Sequence, residues 1–354
     1  MDAFSSVSDS LPLRTASVLP YLRGQTVADY LDFMRQQHPH LADTLDLGTG
    51  ALSEARAWCE PGEFDDNRGL GRGDSYRWAQ RMDTVREAGV LRLLDLAIGG
   101  GGLDAGARFL DVLGGDGLIA RVWNRVSGGS GPIPILTGDV SPQMTLAAVD
   151  YGLPAICQPA QRLLIGDGVM DGVILAYGTH HIERRDRPRA VAEACRVLRS
   201  GGRLVLHDFD EKSSVARWFS DVVDRYSAAG HRYEHFTPSE IERYFVEAGL
   251  TDMRLIHMYD PFIVTGDTPE TALDRLLEYL VDMYGLRLLV KDARDRVAHE
   301  QLLALVRQCF LTDPTELPDD ADDGAVSKLT VRRHDHHYVA TLPRVALVAT
   351  GVKP

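Results

Sequence analysis

The sequence predicts a doubly wound α/β fold, and three observations carry that prediction. Short apolar runs of strand type recur through the middle of the chain: "VLRLLDLAI" (90–98), "PILTGDV" (134–140), "DGVILAYG" (171–178) and "GGRLVLHDF" (201–209). Helical or loop segments separate them, the pattern of a sheet that binds ligands at the carboxyl ends of its strands. The first run ends beside Asp95 and then Gly99 to Gly102. Consecutive glycines are unfavourable inside a helix or strand, so a close backbone approach or a very tight turn is expected there.

The flanking elements follow in order. Residues 1–12 read as a loose tail, and 18–57 have helical apolar spacing that includes Leu19, Leu22, Tyr30, Phe33 and Met34. "CEPGEFDDNRGLGRGDS" (59–75) is a polar, glycine-rich loop, and "YRWAQRMDTVREAG" (76–89) a helix ending at Gly89. "RPRAVAEACRVLRSGG" puts Ala190, Ala194, Val197 and Leu198 on one helical face, with Gly201 after its end. Helices are expected over 213–230 and 237–250, the second with Thr237 as cap and Glu240 three residues on. "TDMRLIHMYDPFIV" (251–264) alternates like a strand. A helical stretch (269–311) and an acidic loop read as an insertion before the strand-like "KLTVRR" and "RVALVATGV". The organisation predicted is a helical cap (1–88), a core (89–266), a helical insertion with acidic loop (267–327) and terminal strands completing the core sheet (328–354).

Composition narrows the function. A net charge of −13 and a pI near 5.4 argue against broad nucleic-acid or anionic-membrane binding, which needs a basic face. Cys59, Cys157, Cys195 and Cys309 are scattered and form no CxxC pair, which fits a reducing cytoplasm. The N-terminus lacks the basic and apolar regions of a secretory signal, and no run of 18 apolar residues exists to span a membrane.

The strand, Asp95 and the glycines form Asp95-x-Ala97-x-Gly99-x-Gly101, which resembles the D-x-G-x-G-x-G first motif of class I S-adenosylmethionine-dependent methyltransferases, with Ala97 at the first glycine. Further matches come in order. "ILTGDVSPQM" is similar to the family's second-strand segment, "DGVMDGVILAYGTHHI" to the passage around its fourth strand, and "ACRVLRSGGRLVLHDF" to its R-V-L-K-P-G-G-x-L-x-x-x-D-F segment. "FTPSEIERYFVEAGL" and "ATGVKP" resemble the helix that follows and the closing strand. The resemblance implies a seven-stranded Rossmann-like sheet and S-adenosylmethionine as cofactor. It assigns the cofactor to Asp95, Ala97, Gly99 and Gly101, to Asp139 as acceptor of both ribose hydroxyls, and to Val140 and Met144. Gln158, Ala160 and Ala176 complete that set, with Tyr76 and Arg81 closing over the methionine part. The chain departs from the pattern twice. Gln158-Pro159-Ala160 stands where the family has Asp-Ala, and Asp139 follows Asp95 by 44 residues, about twice the usual separation.

His180 and His181 follow the strand predicted over 171–178, the edge where the resemblance implies that the acceptor meets the sulfonium, and Asp208 ends the next strand. A carboxylate there orients a histidine and raises its basicity, making a dyad that takes a hydroxyl proton. His207 alternates to the other strand face. Trp78 reads as packing, and Tyr30 and Phe33 as core or as a lid over the acceptor. His334, His336 and His337 surround Asp335, but a hairpin turn with solvated histidines explains them without a metal. The run Asp319–Asp323 lacks calcium-loop spacing.

The expected function is therefore methyl transfer to a small-molecule oxygen or nitrogen in natural-product biosynthesis. The alternative is a non-methylating catalyst on the same fold, motivated by Ala97 and Pro159. The sequence leaves open whether the 269–311 insertion is a lid or a homodimer interface.

Overall fold

The computed structural model describes residues 26–59, 72–100, 106–128, 133–292, 295–312, 317–318, 321 and 324–354. The expected N-terminal tail, most of the 59–75 loop, Gly101, and most of the acidic run lie outside them.

The strands are, in chain order, β1 (Phe109–Asp111), β2 (Ile135–Asp139), β3 (Ala155–Cys157), β4 (Met170–Leu175) and β5 (Leu198–Asp208). They continue with β6 (Thr251–Tyr259), β7 (Phe262–Gly266), β8 (Thr330–His334), β9 (His337–Leu342) and β10 (Val345–Val352). Seven form one sheet in the order β3-β2-β1-β4-β5-β10-β6, with β10 antiparallel to both neighbours. The order reverses beside β1, and in such sheets the crevice for a ligand opens at the carboxyl ends on either side of that point.

The helices are α1 (Val27–Gln37), α2 (Pro39–Ala42), α3 (Thr49–Arg56), α4 (Gly73–Arg81), α5 (Glu87–Ile98), α6 (Leu118–Val126) and α7 (Pro142–Asp150). Then come α8 (Arg187–Val197), α9 (Ser214–Trp218), α10 (Asp224–Tyr226), α11 (Pro238–Glu247), α12 (Pro269–Tyr284) and α13 (Arg296–Cys309). Alternation along the strands divides the core in two. Leu110, Leu136, Ile156, Val173 and Leu204 face α1, α8 and α11, whereas Phe109, Ile135, Ile174 and Val205 face α5, α6 and α12. Tyr30 belongs to the first core and donates its hydroxyl to the Ala155 carbonyl at 2.8 Å, so α1 is packed on the sheet and is no lid.

Two sequence expectations are corrected. Residues 90–98 are not the first strand but the body of helix α5. Val90, Leu93, Leu94 and Ala97 are its buried stripe, and Arg92 and Asp95 form an exposed pair at 3.6 Å. A short apolar run is ambiguous between strand and buried helix, and here the i, i+3, i+4, i+7 spacing wins. The glycines that follow end this helix: Gly99, at φ 70°, donates its N–H to the Asp95 carbonyl. The second correction concerns the C-terminal strands. Only β10 enters the main sheet; β8 and β9 pair with β7 in a separate sheet of order β7-β9-β8. The predicted strand 251–264 is accordingly two strands, broken at Asp260-Pro261 so that β7 leaves the main sheet. Helix α12 packs on β7, β9 and α4.

Candidate functional site

The turn after β1, "DVLGGDG" (111–117), is where the backbone needs glycine. A Cβ on Gly114 would lie 2.7 Å from Thr137 Cγ2 and 2.8 Å from Asp111 Oδ2. Gly115 and Gly117 sit at φ 57° and 83°, a region side chains disfavour. Gly114 N–H donates to the Gly138 carbonyl at 2.8 Å, and Gly115 N–H to Asp139 Oδ2 at 2.9 Å, tying the turn to the end of β2. Ser141 N–H donates to Asp139 Oδ1 at 2.8 Å and its hydroxyl caps α7. Two backbone donors from two elements thus set the direction of the Asp139 carboxylate.

These groups form one end of a cavity of about 140 Å³. Its floor includes Leu113, Gly115, Asp139, Val140 and Met144. Tyr177 and Gly178 after β4 and Phe209 after β5 continue it. Arg72, Tyr76 and Arg86 come from the α4 side, Met283 and Tyr284 from the end of α12, and Phe262 and Arg344 from beside the second sheet. Gln80 links two of these, donating to the Tyr76 hydroxyl at 3.2 Å and accepting from Arg86. The Arg86 guanidinium lies 4.6 Å over the Tyr177 ring.

The other end is histidine-rich. His180 and His181 line the cavity from the single turn Thr179–His181 after β4. Asp208, fully buried at the end of β5, accepts the His180 main-chain N–H at 2.7 Å and its Nδ1 at 2.9 Å. Phe209 N–H donates to it at 2.8 Å and His235 Nδ1 lies 3.4 Å away. Burial works to raise the Asp208 carboxyl, but the charge and hydrogen bonds of His180 and His235 hold it well below the usual range. Burial lowers His180 against the pull of Asp208. A neutral imidazole that donates Nδ1–H to an ionised carboxylate satisfies both directions. Its Nε2 is then a bare lone pair. Burial also drives His181 down, and pushes His231 to about 2.

Of the residues the sequence singled out, Tyr76, Asp139, Val140, Met144, His180 and His181 line this cavity, and Asp208 stands behind His180. Ala160 and Ala176 are buried outside the lining. Gln158 is buried, and its carbonyl oxygen is already engaged by Leu164 N–H at 2.7 Å. Arg81 is exposed, and the arginines that line the cavity are Arg72, Arg86 and Arg344. Asp95, Ala97 and Gly99 belong to α5 and its cap, away from the lining, because the strand they were assigned to is a helix. His207 is fully buried, 3.4 Å from Asp260. His334, exposed, and His337, half-buried, flank the β8–β9 turn with their rings 5.3 Å apart. A signal for the right turn was present in the doubled spacing: Asp111 precedes Asp139 by 28 residues and is itself followed by Gly114, Gly115 and Gly117.

Residues 110–206 match a family model described as "Methyltransferase domain", starting one residue before Asp111. Among curated proteins, the ubiquinone/menaquinone biosynthesis C-methyltransferase UbiE of Chromobacterium violaceum is 34% identical over 131 residues, 36% of this chain and 51% of that protein. The protein of the same name from Bordetella parapertussis is 32% identical over 154 residues, 41% of this chain and 57% of its own length. The chain thus spans about half the length of the curated relatives it matches. A solved structure of Haemonchus contortus phosphoethanolamine N-methyltransferase 2, in complex with phosphomonomethylethanolamine and S-adenosylhomocysteine, is 16% identical, with a TM-score of 0.49. That alignment covers 82% of this chain and 60% of the other.

The sheet order, the glycine turn after β1 and these sequence matches define an α/β protein with a methyltransferase domain. Residues 110–206 are thus the segment similar to methyltransferases, and the curated relatives that match the chain are named as C-methyltransferases. Among the described residues no helix is long and apolar enough to cross a membrane.

Proposed function

We propose that this protein transfers the methyl group of S-adenosylmethionine to a small-molecule acceptor. One observation carries the reading: a single cavity is bounded by the glycine turn with Asp139 at one end and by His180 on Asp208 at the other. The cofactor supplies a methyl group on a sulfonium, with a neutral thioether as leaving group. Orientation is then the main demand on the protein.

Asp139, held at the cavity wall, accepts the ribose hydroxyls, and Gly115 lets the backbone come close beneath them. Arg86 offers its guanidinium to a carboxylate, the task first given to Arg81. The acceptor lies toward His180 and His181, walled by Tyr284 and Phe262. His180 Nε2 receives the acceptor's proton, and the ionised Asp208 stabilises the imidazolium that results. The curated relatives are named as C-methyltransferases, and this proton acceptor serves an oxygen, a nitrogen or an activated ring carbon alike. The acceptor wall is built by Arg72, Tyr76, Phe262, Met283, Tyr284 and Arg344, all outside the matched segment 110–206, so the acceptor is this chain's own matter.

The non-methylating alternative loses half its motive, because Ala97 is a core residue of α5 rather than part of the cofactor turn. Calorimetry with S-adenosylmethionine, followed by mass spectrometry of phenolic, amine and quinol acceptors, tests the proposal. Binding together with the mass gain of one methylene supports it. Transformation of an acceptor without that gain overturns it.

A further inference from the structure

Three ring nitrogens near the acceptor end are buried without a hydrogen-bond partner: Nε2 of His180, of His231 and of His235. An unpaired buried polar atom is unfavourable, and a native structure rarely gathers several in one place without a ligand for them. On His180 the free nitrogen is a lone pair, because Nδ1 faces Asp208. Lone pairs converging from several imidazoles are matched by a cation that accepts them.

We propose that His180, His181 and His231 bind a divalent metal ion of the zinc type at the acceptor end of the cavity. One ring nitrogen of each lies within 4.8 Å of those of the other two. On tetrahedral zinc, nitrogens at about 2.0–2.1 Å from the metal are about 3.3 Å apart, so side-chain rotations that move the rings by about an ångström close the site. The surroundings have the form of a metal centre's outer shell. Asp208 holds His180 by Nδ1, the carboxylate–histidine arrangement that fixes a ligand's tautomer and direction. Phe219 stacks on His231 with ring centroids 4.1 Å apart, and Asp224 anchors the His231 main-chain N–H at 2.8 Å. Asp208 offsets one positive charge, whereas Arg72, which lines the same cavity, opposes a cation there. Three protein ligands leave a fourth position open, and two of them, His180 and His181, line the cavity, the pattern of a catalytic rather than a structural zinc.

The site stands on this geometry alone; only its use rests on the methyl-transfer reading. In the loaded protein His180 Nε2 is a ligand, and the metal takes over the activation assigned to that atom above. An acceptor hydroxyl at the open position loses its proton to water more readily, and no other bond to the acceptor changes before the methyl group arrives.

The test is a titration of chelator-treated full-length protein, with Zn²⁺ by calorimetry and with Co²⁺ by visible absorption. The expected result is one ion per chain and the visible bands of tetrahedral cobalt. His231→Ala and His181→Ala should each weaken binding by more than the roughly 10–100-fold expected of the outer-shell variant Asp208→Asn. His334→Ala, on the exposed hairpin, should leave it unchanged. His231→Gln serves where circular dichroism shows that His231→Ala is unfolded. Absence of stoichiometric binding, or equal binding by the His231 variants, overturns the proposal. Metal binding without methyl transfer to any acceptor counts against the proposed function and leaves the site standing; methyl transfer by a protein that binds no metal does the reverse.

Discussion

Asp139 accepts the main-chain N–H of Gly115 through Oδ2 at 2.9 Å, joining the end of β2 to the turn after β1. With Ser141 N–H on Oδ1, the carboxylate is fixed in direction by two backbone donors from two elements. Asp139→Ala removes the carboxylate proposed to accept the ribose hydroxyls and frees the turn. Hydrogen bonds to a charged group contribute about 1.5–3 kcal/mol, so cofactor affinity should fall at least about tenfold by calorimetry. A loss under twofold would show that the ribose lies elsewhere.

The two glycine clusters predict opposite outcomes. Gly114→Ala places a Cβ against Thr137 and Asp111, whereas nothing lies within 4 Å of a Cβ on Gly100. Overpacking of this kind is unfavourable by about 1–3 kcal/mol. Gly114→Ala should lower both the melting temperature and cofactor affinity, and Gly100→Ala should change neither. Loss of binding in the Gly100 variant would return the cofactor to the segment after α5.

His180→Ala should reduce turnover by about 10²–10⁴-fold while cofactor affinity is preserved, because the imidazole stands at the acceptor end. Asp208→Asn should do less harm, since it disturbs only the orientation and basicity of His180. Turnover kinetics paired with calorimetry check both. Wild-type turnover in His180→Ala leaves positioning alone as the source of rate.

Asp111 gives a pH signature. Burial, and then the charge of Asp139, raises its carboxyl well above the usual range, against the pull of Arg86. From the ordinary value of about 3.9 up to that raised value, the folded protein keeps a proton that the unfolded chain has lost, so this residue's contribution to stability falls as pH rises. Asp111→Asn cannot titrate. Its stability relative to wild type should therefore climb with pH across that window, read by urea unfolding at a series of pH values. A difference that does not change with pH would mean that Asp111 ionises as it would in water.

The sequence by itself determined the doubly wound class, strands over 134–140, 171–178 and 201–209, and the candidates Asp139, His180 and Asp208; β5 starts earlier, at Leu198, which the sequence assigns to the preceding helix. Each of these rests on local signals: a buried strand followed by a polar terminus, or a helix with a repeating apolar face. Only the tertiary structure decided which glycines form the ligand turn. "LLDLAIGGGG" and "FLDVLGGDG" both read as strand, acid and glycine, and the helical spacing within 90–97 is too short a run to decide by itself between a buried helix and a buried strand. What separates them is partnership. Phe109–Asp111 pairs with both β2 and β4 in the centre of the sheet, while 90–98 packs as a helix over Phe109 and Ile174. Likewise, nothing local in Arg72, Arg86 or Arg344 marks a site. They meet the cavity only because the second sheet and α12 fold back over the strand ends, and because Asp260-Pro261 breaks one strand into two that serve different sheets.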